Sequence, residues 1–456
     1  MEAADKVQVL TAVTSAGWDT HLIQALRSAP GRFTVARRCV DLADLLGAAG
    51  AGLGQVALVS GDLRRLDRDA LDVIRRAKVG VVGVQPPGDA VADRERLSAL
   101  GIRHHVPVDA DPAELAAAVL DAIATVEGGA HASELPARTI AAAGGFGDAP
   151  GSSGAARPAD DAVDPLDFVE RGGQGGQVIA VWGPYGAPGR TTLATNVAME
   201  LATLGTSTML VDADTYGASV AEVLGLLDDA PGLAGAARVA NQGRLDAIAL
   251  ARYARRITPQ LHVLTGIARP ARWTELRPAA LDAVWALTRS VAEATVVDCG
   301  FCLEEDEAMM FDTEVPRRNG ATLSTIQTAD VVLAVGSSDP VGLGRLVRGL
   351  GDLRELVPDI SALNVVVNRV RRSVAGAGPE KQIGVAMERY AGVRPAAYVP
   401  DDPAALDGAL VSGRTLAEIA PRSPARLAIL DLSRRLAGLD TSAPGRRRSL
   451  ARLRRP

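Results

Sequence analysis

Short apolar runs alternate with amphipathic stretches over two separate parts of the chain. In the first, residues 7–13, 33–40, 55–60, 79–84 and 103–108 predict strands. The intervening stretches 18–28, 42–48, 69–78, 92–100 and 112–125 predict helices. In the second, strands are expected at 178–182, 208–211, 261–264, 295–297, 331–335, 364–367 and 397–399. Helix-like segments lie between them, notably 193–204, 278–292, 341–356 and 379–390. Strands alternating with helices imply parallel sheets covered on both faces. The expected fold class is therefore α/β, with two doubly wound parallel-sheet domains. Residues 127–176 fit neither pattern: Gly, Ala, Ser and Pro dominate, and such residues bury too little surface to offset chain entropy. The division is 1–126, a flexible linker at 127–176, a second domain at 177–438, and a basic tail at 439–456.

Composition narrows this little. The 456 residues suffice for two or three cores. Aromatics make up 3%, so those cores must be built from Ala, Val and Leu. A net charge of −5 does not suggest a whole-protein nucleic-acid binder. No secretory signal pattern and no bilayer-length apolar run is visible, and Cys39, Cys299 and Cys302 form no disulfide framework. The expected compartment is the cytoplasm. Cys299 and Cys302 have the Cys-x-x-Cys spacing, but without a second pair a zinc or redox role is not favoured. His104 and His105 are adjacent on a predicted strand and so point to opposite faces, a weak arrangement for a metal.

The strand at 178–182 runs into Gly183, Pro184, Tyr185, Gly186, Ala187, Pro188, Gly189, Arg190, Thr191 and Thr192, and then into a helix. Glycines let several backbone N–H groups converge on one anion, and the helix N-terminus adds partial positive charge. Arg190 supplies a full charge, and the Thr191 hydroxyl could reach a magnesium ion. Pro184 and Arg190 stand where a strict Walker loop has Gly and Lys. The chain has only Lys6, Lys78 and Lys381, so no neighbouring lysine replaces the missing one. Further along, the strand at 208–211 delivers Asp212 and Asp214, and the strand at 295–297 delivers Asp298. Ligands of open parallel sheets collect at the carboxyl ends of strands, where these carboxylates could hold magnesium's water shell or polarise water. Asn368, ending another strand, can both donate to and accept from an adenine.

Taken together, residues 177–438 resemble the MinD/ParA family of P-loop ATPases with a deviant Walker motif. The resemblance implies ATP and Mg2+ as ligands. It places Gly186, Ala187, Pro188, Gly189, Arg190, Thr191 and Thr192 at the phosphates, with Thr191, Asp212 and Asp298 around the metal. It gives Asp214 the water-activating role beside Arg190, and puts Asn368, Arg369, Pro400 and Asp401 around the adenine. Asn196 also falls where the family has an Asn on its first helix. The family's first motif lysine reaches across a dimer to the partner's phosphates, and here it is Tyr185. Arg190 keeps the charge of the second, but a planar fork is not an ammonium. The implied outcome is ATP binding with slow or absent hydrolysis. Arg317 or Arg318 is a candidate substitute for the charge in trans.

The five units of residues 7–126 resemble the receiver domain of two-component signalling. The first strand lacks the following acids, and Asp62 falls slightly late after the third, which suggests a degenerate receiver used for docking. A degenerate receiver before such an ATPase is most similar to CpaE-like proteins of Tad/Flp pilus assembly. Within that group it resembles an actinobacterial branch, to which Arg190 in its loop and Pro316-Arg317-Arg318-Asn319-Gly320-Ala321 point. The implied partners are a nucleotide-dependent second copy and pilus or secretion machinery. A non-hydrolysing scaffold and a septum-site or chromosome-partitioning ATPase are the alternatives. The tail at 445–456 is open between weak membrane or DNA contact, peripheral to the inner membrane face, and plain solvation. The acidic run at 304–307 reads as a solvated loop near the nucleotide.

Overall fold

The computed structural model describes residues 6–31, 33–86, 90–127, 175–186, 189–226, 231–304, 317–357 and 362–439. The first domain runs β1 (Val7–Ala12), α1 (Ala16–Ser28), β2 (Phe33–Arg38), α2 (Leu42–Gly50), β3 (Val56–Ser60), α3 (Arg68–Arg76), β4 (Gly80–Gln85), α4 (Ala90–Ala99), β5 (His104–Pro107) and α5 (Pro112–Glu127). All its strands are parallel, in the order β2-β1-β3-β4-β5. Each of the five βα units read from the sequence is present, with ends shifted by a few residues. β3 is buried along its whole length because helices cover both faces of the sheet. Asp41 and Asp67 start α2 and α3 by accepting the backbone N–H groups of Asp44 and Ala70.

The second domain begins with β6 (Gln177–Trp182), α6 (Arg190–Thr203), β7 (Thr208–Ala213), α7 (Gly232–Asn241), α8 (Ala247–Tyr253), β8 (Arg255–Thr258), β9 (Leu261–Leu264), α9 (Pro278–Val291) and β10 (Ala294–Cys299). It continues with α10 (Gly320–Thr328), β11 (Val331–Ser337), α11 (Pro340–Leu356), β12 (Leu363–Val370), α12 (Pro379–Ala391), β13 (Ala397–Pro400), α13 (Pro403–Ser412) and α14 (Pro424–Leu436). Single helical turns at Val220–Val223, Arg372–Ala375 and Leu416–Ile419 lie in the connections. The eight strands are ordered β13-β12-β11-β6-β10-β7-β9-β8, all parallel except β8. Alternate β6 residues feed the two faces: Val178, Ala180 and Trp182 enter one core, and Ile179 and Val181 the other.

All seven strands expected here are present, and β8 is an addition. Arg-Arg-Ile-Thr lacks an apolar run, because an antiparallel edge strand needs less burial than a central one. β7 and β10 also run two residues beyond their predicted ends. Their aspartates interrupt the apolar pattern without ending the strand, so Asp212 and Asp298 are buried inside it. The two are register partners on neighbouring strands.

The domains touch through α3. Arg68 donates from Nε to the Ala240 carbonyl at 3.1 Å. Asn241 accepts from the Asp69 N–H and donates to the Asp67 and Asp69 carboxylates, and Arg277 pairs with Asp69 at 3.2 Å. The linker and tail assignments at 128–174 and 440–456 lie outside the described residues.

Candidate functional site

β6, β10 and β7 are adjacent, so their carboxyl ends present one edge. At this edge the chain leaves β6 through a loop that needs glycine. Gly186 has φ +116°, and Gly189, which precedes α6, has φ +88°; L side chains rarely adopt either. A Cβ on Gly189 would lie 2.3 Å from the Asn368 amide nitrogen, so the bare backbone admits β12's terminal side chain. Ala187 and Pro188 lie outside the described residues.

Thr191, on the first turn of α6, donates to Asp298 Oδ2 at 2.6 Å. Asp298 is fully buried, and its other oxygen, Oδ1, has no hydrogen-bond partner among the described residues. Burial pushes its carboxyl well above the usual range, and the neighbouring Asp212 carboxylate adds to the effect. Asp212 is pushed upward too, again mainly by burial. It differs in its partners: Oδ2 accepts the N–H groups of Ser219 and Val220, and Oδ1 accepts that of Asp214. Asp212 is thus occupied in shaping the loop after β7. Of the three side chains assigned to the metal, Thr191 and Asp298 are joined directly, and Asp212 lies beside them with both oxygens engaged. Among the described residues, no group of three or more His, Cys, Asp or Glu side chains is placed to hold a metal ion.

Arg190 lies across the same edge. It donates to the Gly183 carbonyl at 3.2 Å and to Asp214 Oδ2 at 3.3 Å, while its Nε is buried with no partner among the described residues. Asp214 also accepts the Tyr216 and Gly217 N–H groups. Its carboxylate is therefore held from two sides. Gly300 lies close by, since a Cβ there would be 3.3 Å from Asp214 Oδ1.

The remaining assignments divide. Asn368 reaches the loop, and its carboxamide oxygen accepts the Arg369 N–H at 2.8 Å. Arg369 is exposed at φ +54°, and its carbonyl accepts from Ser338. The Asp401 N–H donates to the Val370 carbonyl, which sets Pro400 and Asp401 beside the end of β12. Thr192 is half-buried, and its carbonyl accepts from Asn196 at 2.8 Å. Asn196 faces inward: its oxygen accepts the Leu416 N–H at 2.8 Å, which ties α6 to a turn 220 residues away. That role is internal, with no opening to a ligand.

Arg318 does not stand free. Its guanidinium lies 4.0 Å from the Tyr216 ring centroid, and its carbonyl accepts from Thr215. Arg317 lines a cavity of about 540 Å³ between the domains, together with Arg65, Asp69 and Arg277. The sequence reading missed Arg345 on α11, whose guanidinium stacks 4.2 Å from the Tyr185 ring centroid and donates to its hydroxyl at 3.0 Å. An arginine 160 residues from the loop gave no local signal.

In the first domain, Asp62 is exposed and accepts from the hydroxyls of Thr14, at 2.7 and 2.9 Å, and Ser60, at 2.5 Å. His104 and His105 bond Thr125 and Ser98 separately, and the three cysteines are free. Cys302 accepts from the Asn319 amide, whereas Cys299 is buried in the core.

A strand, a glycine loop and a helix, with acidic side chains from the adjacent strands, make up a P-loop type of site. Residues 175–244 match the ParA family model, described as NUBPL iron-transfer P-loop NTPase. Among solved structures, the chain is similar to the ParA family ATPase from Chlorobium tepidum TLS, at 19% identity and a TM-score of 0.46 over 56% of this chain and 98% of that one. It is also similar to the cell division ATPase MinD of Pyrococcus furiosus, at 21% identity and a TM-score of 0.44, covering 58% and 100%. A third is the septum site-determining protein MinD complexed with Mg-ADP from Pyrococcus horikoshii OT3, at 19% and 0.44, covering 59% and 99%. No curated protein matches the chain.

Proposed function

We propose that the second domain binds ATP with Mg2+ at the carboxyl edge of β6, β10 and β7, and acts as a MinD/ParA-type nucleotide switch with weak or absent hydrolysis. The observation that carries this is the hydrogen bond from Thr191 to buried Asp298, whose Oδ1 is unpartnered among the described residues, beside half-buried Arg190, whose buried Nε is also unpartnered there. Both orphaned atoms are costly unless a ligand completes them. The residues fit the group. Thr191 and Asp298 would hold magnesium and its water, the loop N–H groups and Arg190 would take phosphate oxygens, and Asn368 would meet the base. Bound magnesium would neutralise phosphate charge. Gly186 and Gly189 supply the positive-φ backbone of the loop, and Thr191 orients the Asp298 carboxylate.

The non-hydrolysing reading draws on a separate observation. Asp214, the residue expected to polarise water, is bonded by Arg190 and by two backbone N–H groups. A carboxylate held in this way is a poor base until Arg190 turns toward phosphate. Because a receiver-like domain precedes the ATPase-like one, we assign the chain to positioning or assembling a Tad/Flp-type pilus or secretion machine, in the manner of CpaE-like proteins, with nucleotide favouring a dimer. Titration with labelled ATP and ADP plus magnesium, following mass in the same sample, tests this. Saturable binding with a doubling of mass supports it, and no binding rejects it. Phosphate release that disappears in Asp214→Ala would reject the scaffold reading.

A further inference from the structure

We infer that Arg345 takes phosphate oxygens at the mouth of its own chain's glycine loop. This rests on the nucleotide reading above and names a residue for it. The guanidinium is fixed in three ways. It lies 4.2 Å from the Tyr185 ring centroid, it donates to the Tyr185 hydroxyl at 3.0 Å, and it fills the space where Gly186 would carry a side chain. A Cβ built there would be 2.3 Å from the Arg345 terminal nitrogen. Glycine at 186 leaves room for this arginine to lie against the loop backbone in this position. Tyr185 itself packs 6.3 Å from Phe301, which follows β10, so the stack is anchored to the strand that carries Asp298.

Two features separate Arg345 from an ordinary surface arginine. It is half-buried, and among the described residues it has no carboxylate partner. A partly desolvated cation without a counter-ion, pressed on an anion-cradling loop, is a charge in want of an anion. An aromatic face holds a guanidinium without neutralising it. Tyr185 thus serves as a platform for a cation that arrives from α11. Because guanidinium is planar and multidentate, it can keep the stack and still present N–H groups to a phosphate.

The test uses the full chain, fluorescent ATP with magnesium, and the variants Arg345→Gln and Arg345→Lys, with thermal melts to show that each is folded. Arg345→Gln removes the charge and leaves a neutral amide on a side chain two bonds shorter than arginine. Its ATP affinity should fall roughly tenfold or more, the scale of a charge-assisted hydrogen bond. Its affinity should also depend less steeply on sodium chloride, because one cation fewer is screened. Arg345→Lys should retain more affinity than Gln and the wild-type salt dependence. A purely structural role would leave the salt dependence alone. Wild-type binding matched by Arg345→Gln in both affinity and salt dependence overturns the proposal while leaving the nucleotide reading intact. Wild-type chain that binds no ATP overturns both.

Discussion

The two sheets end in the same kind of edge, and their carboxylates there are partnered differently. At the first, Asp62 is exposed and its carboxylate is already supplied with hydroxyl donors from Thr14 and Ser60. At the second, two buried aspartates are register partners on β7 and β10, one with an oxygen unpartnered among the described residues, beside a half-buried arginine whose buried Nε is unpartnered there too. The first domain's unpartnered buried side-chain atoms among the described residues are on Thr11, Asp19 and His105, in β1, α1 and β5. An open parallel sheet offers a place for chemistry, but uncompensated polarity at that place is what marks its use.

The sharpest way to break the comparison is to remove the uncompensated charge. Asp298→Asn keeps an acceptor for Thr191 and relieves the repulsion with Asp212. We expect ATP affinity in magnesium to fall about 100-fold, the scale of a lost metal contact with its coupled charge. The thermal midpoint should rise by a few degrees, since an uncompensated buried carboxylate is destabilising. Calorimetric titration and melting of one preparation measure both. A lower midpoint with unchanged affinity would mean that Asp298 is structural.

Next in size is Arg190→Ala. Removing a half-buried cation from the loop should weaken ATP by roughly tenfold to a hundredfold, the range of hydrogen bonds to charged groups. It should also free Asp214, so a spectroscopic assay of phosphate release serves as a second readout. Unaltered affinity would show that the guanidinium serves Asp214 alone.

The fold was legible because both sheets are parallel and covered: their strands read as apolar runs, and the helices between them as amphipathic. Strand ends were less so. Asp212 and Asp298 looked like residues following strands, whereas buried register pairing makes them parts of strands. For the site, the glycine loop, Thr191, Asp298 and Asp214 were readable because local order carries them. Arg345 was not, because its contact with Tyr185 joins α11 to the β6 loop through the sheet. The contacts of Arg318 with the Tyr216 ring and of Asn196 with the Leu416 N–H were likewise not readable, because each joins distant parts of the chain.

A smaller effect concerns the first domain's stability. Burial, reinforced by Arg94 and His104, lowers His105 from 6.5 to about 4. The folded state then holds the ring neutral while the unfolded chain protonates it. The stabilisation is complete above about pH 6.5 and is lost as pH falls through about 4. The thermal midpoint of this domain should therefore drop across that window. His105→Gln should flatten the drop, measured by differential scanning calorimetry between the two limits. An equally steep drop in the variant would assign the acid sensitivity to other groups.

The smallest expected effect falls on Asp62, and it tests the other half of the contrast. A phosphate-accepting aspartate needs a free oxygen and a nearby cation to offset the incoming charge. Asp62 has its oxygens engaged by two hydroxyls and no ion pair among the described residues. Incubation with acetyl phosphate and magnesium should leave the mass of the intact chain unchanged. Asp62→Asn should cost about 1 kcal/mol or less, because an amide oxygen still accepts from Thr14 or Ser60 at an exposed position. ATP binding should be indifferent to this change, since Asp62 has no contact with the second domain's loop. A phosphoryl adduct that disappears in Asp62→Asn would show that the hydroxyls yield to phosphate. The two edges would then differ in strength of binding and not in kind.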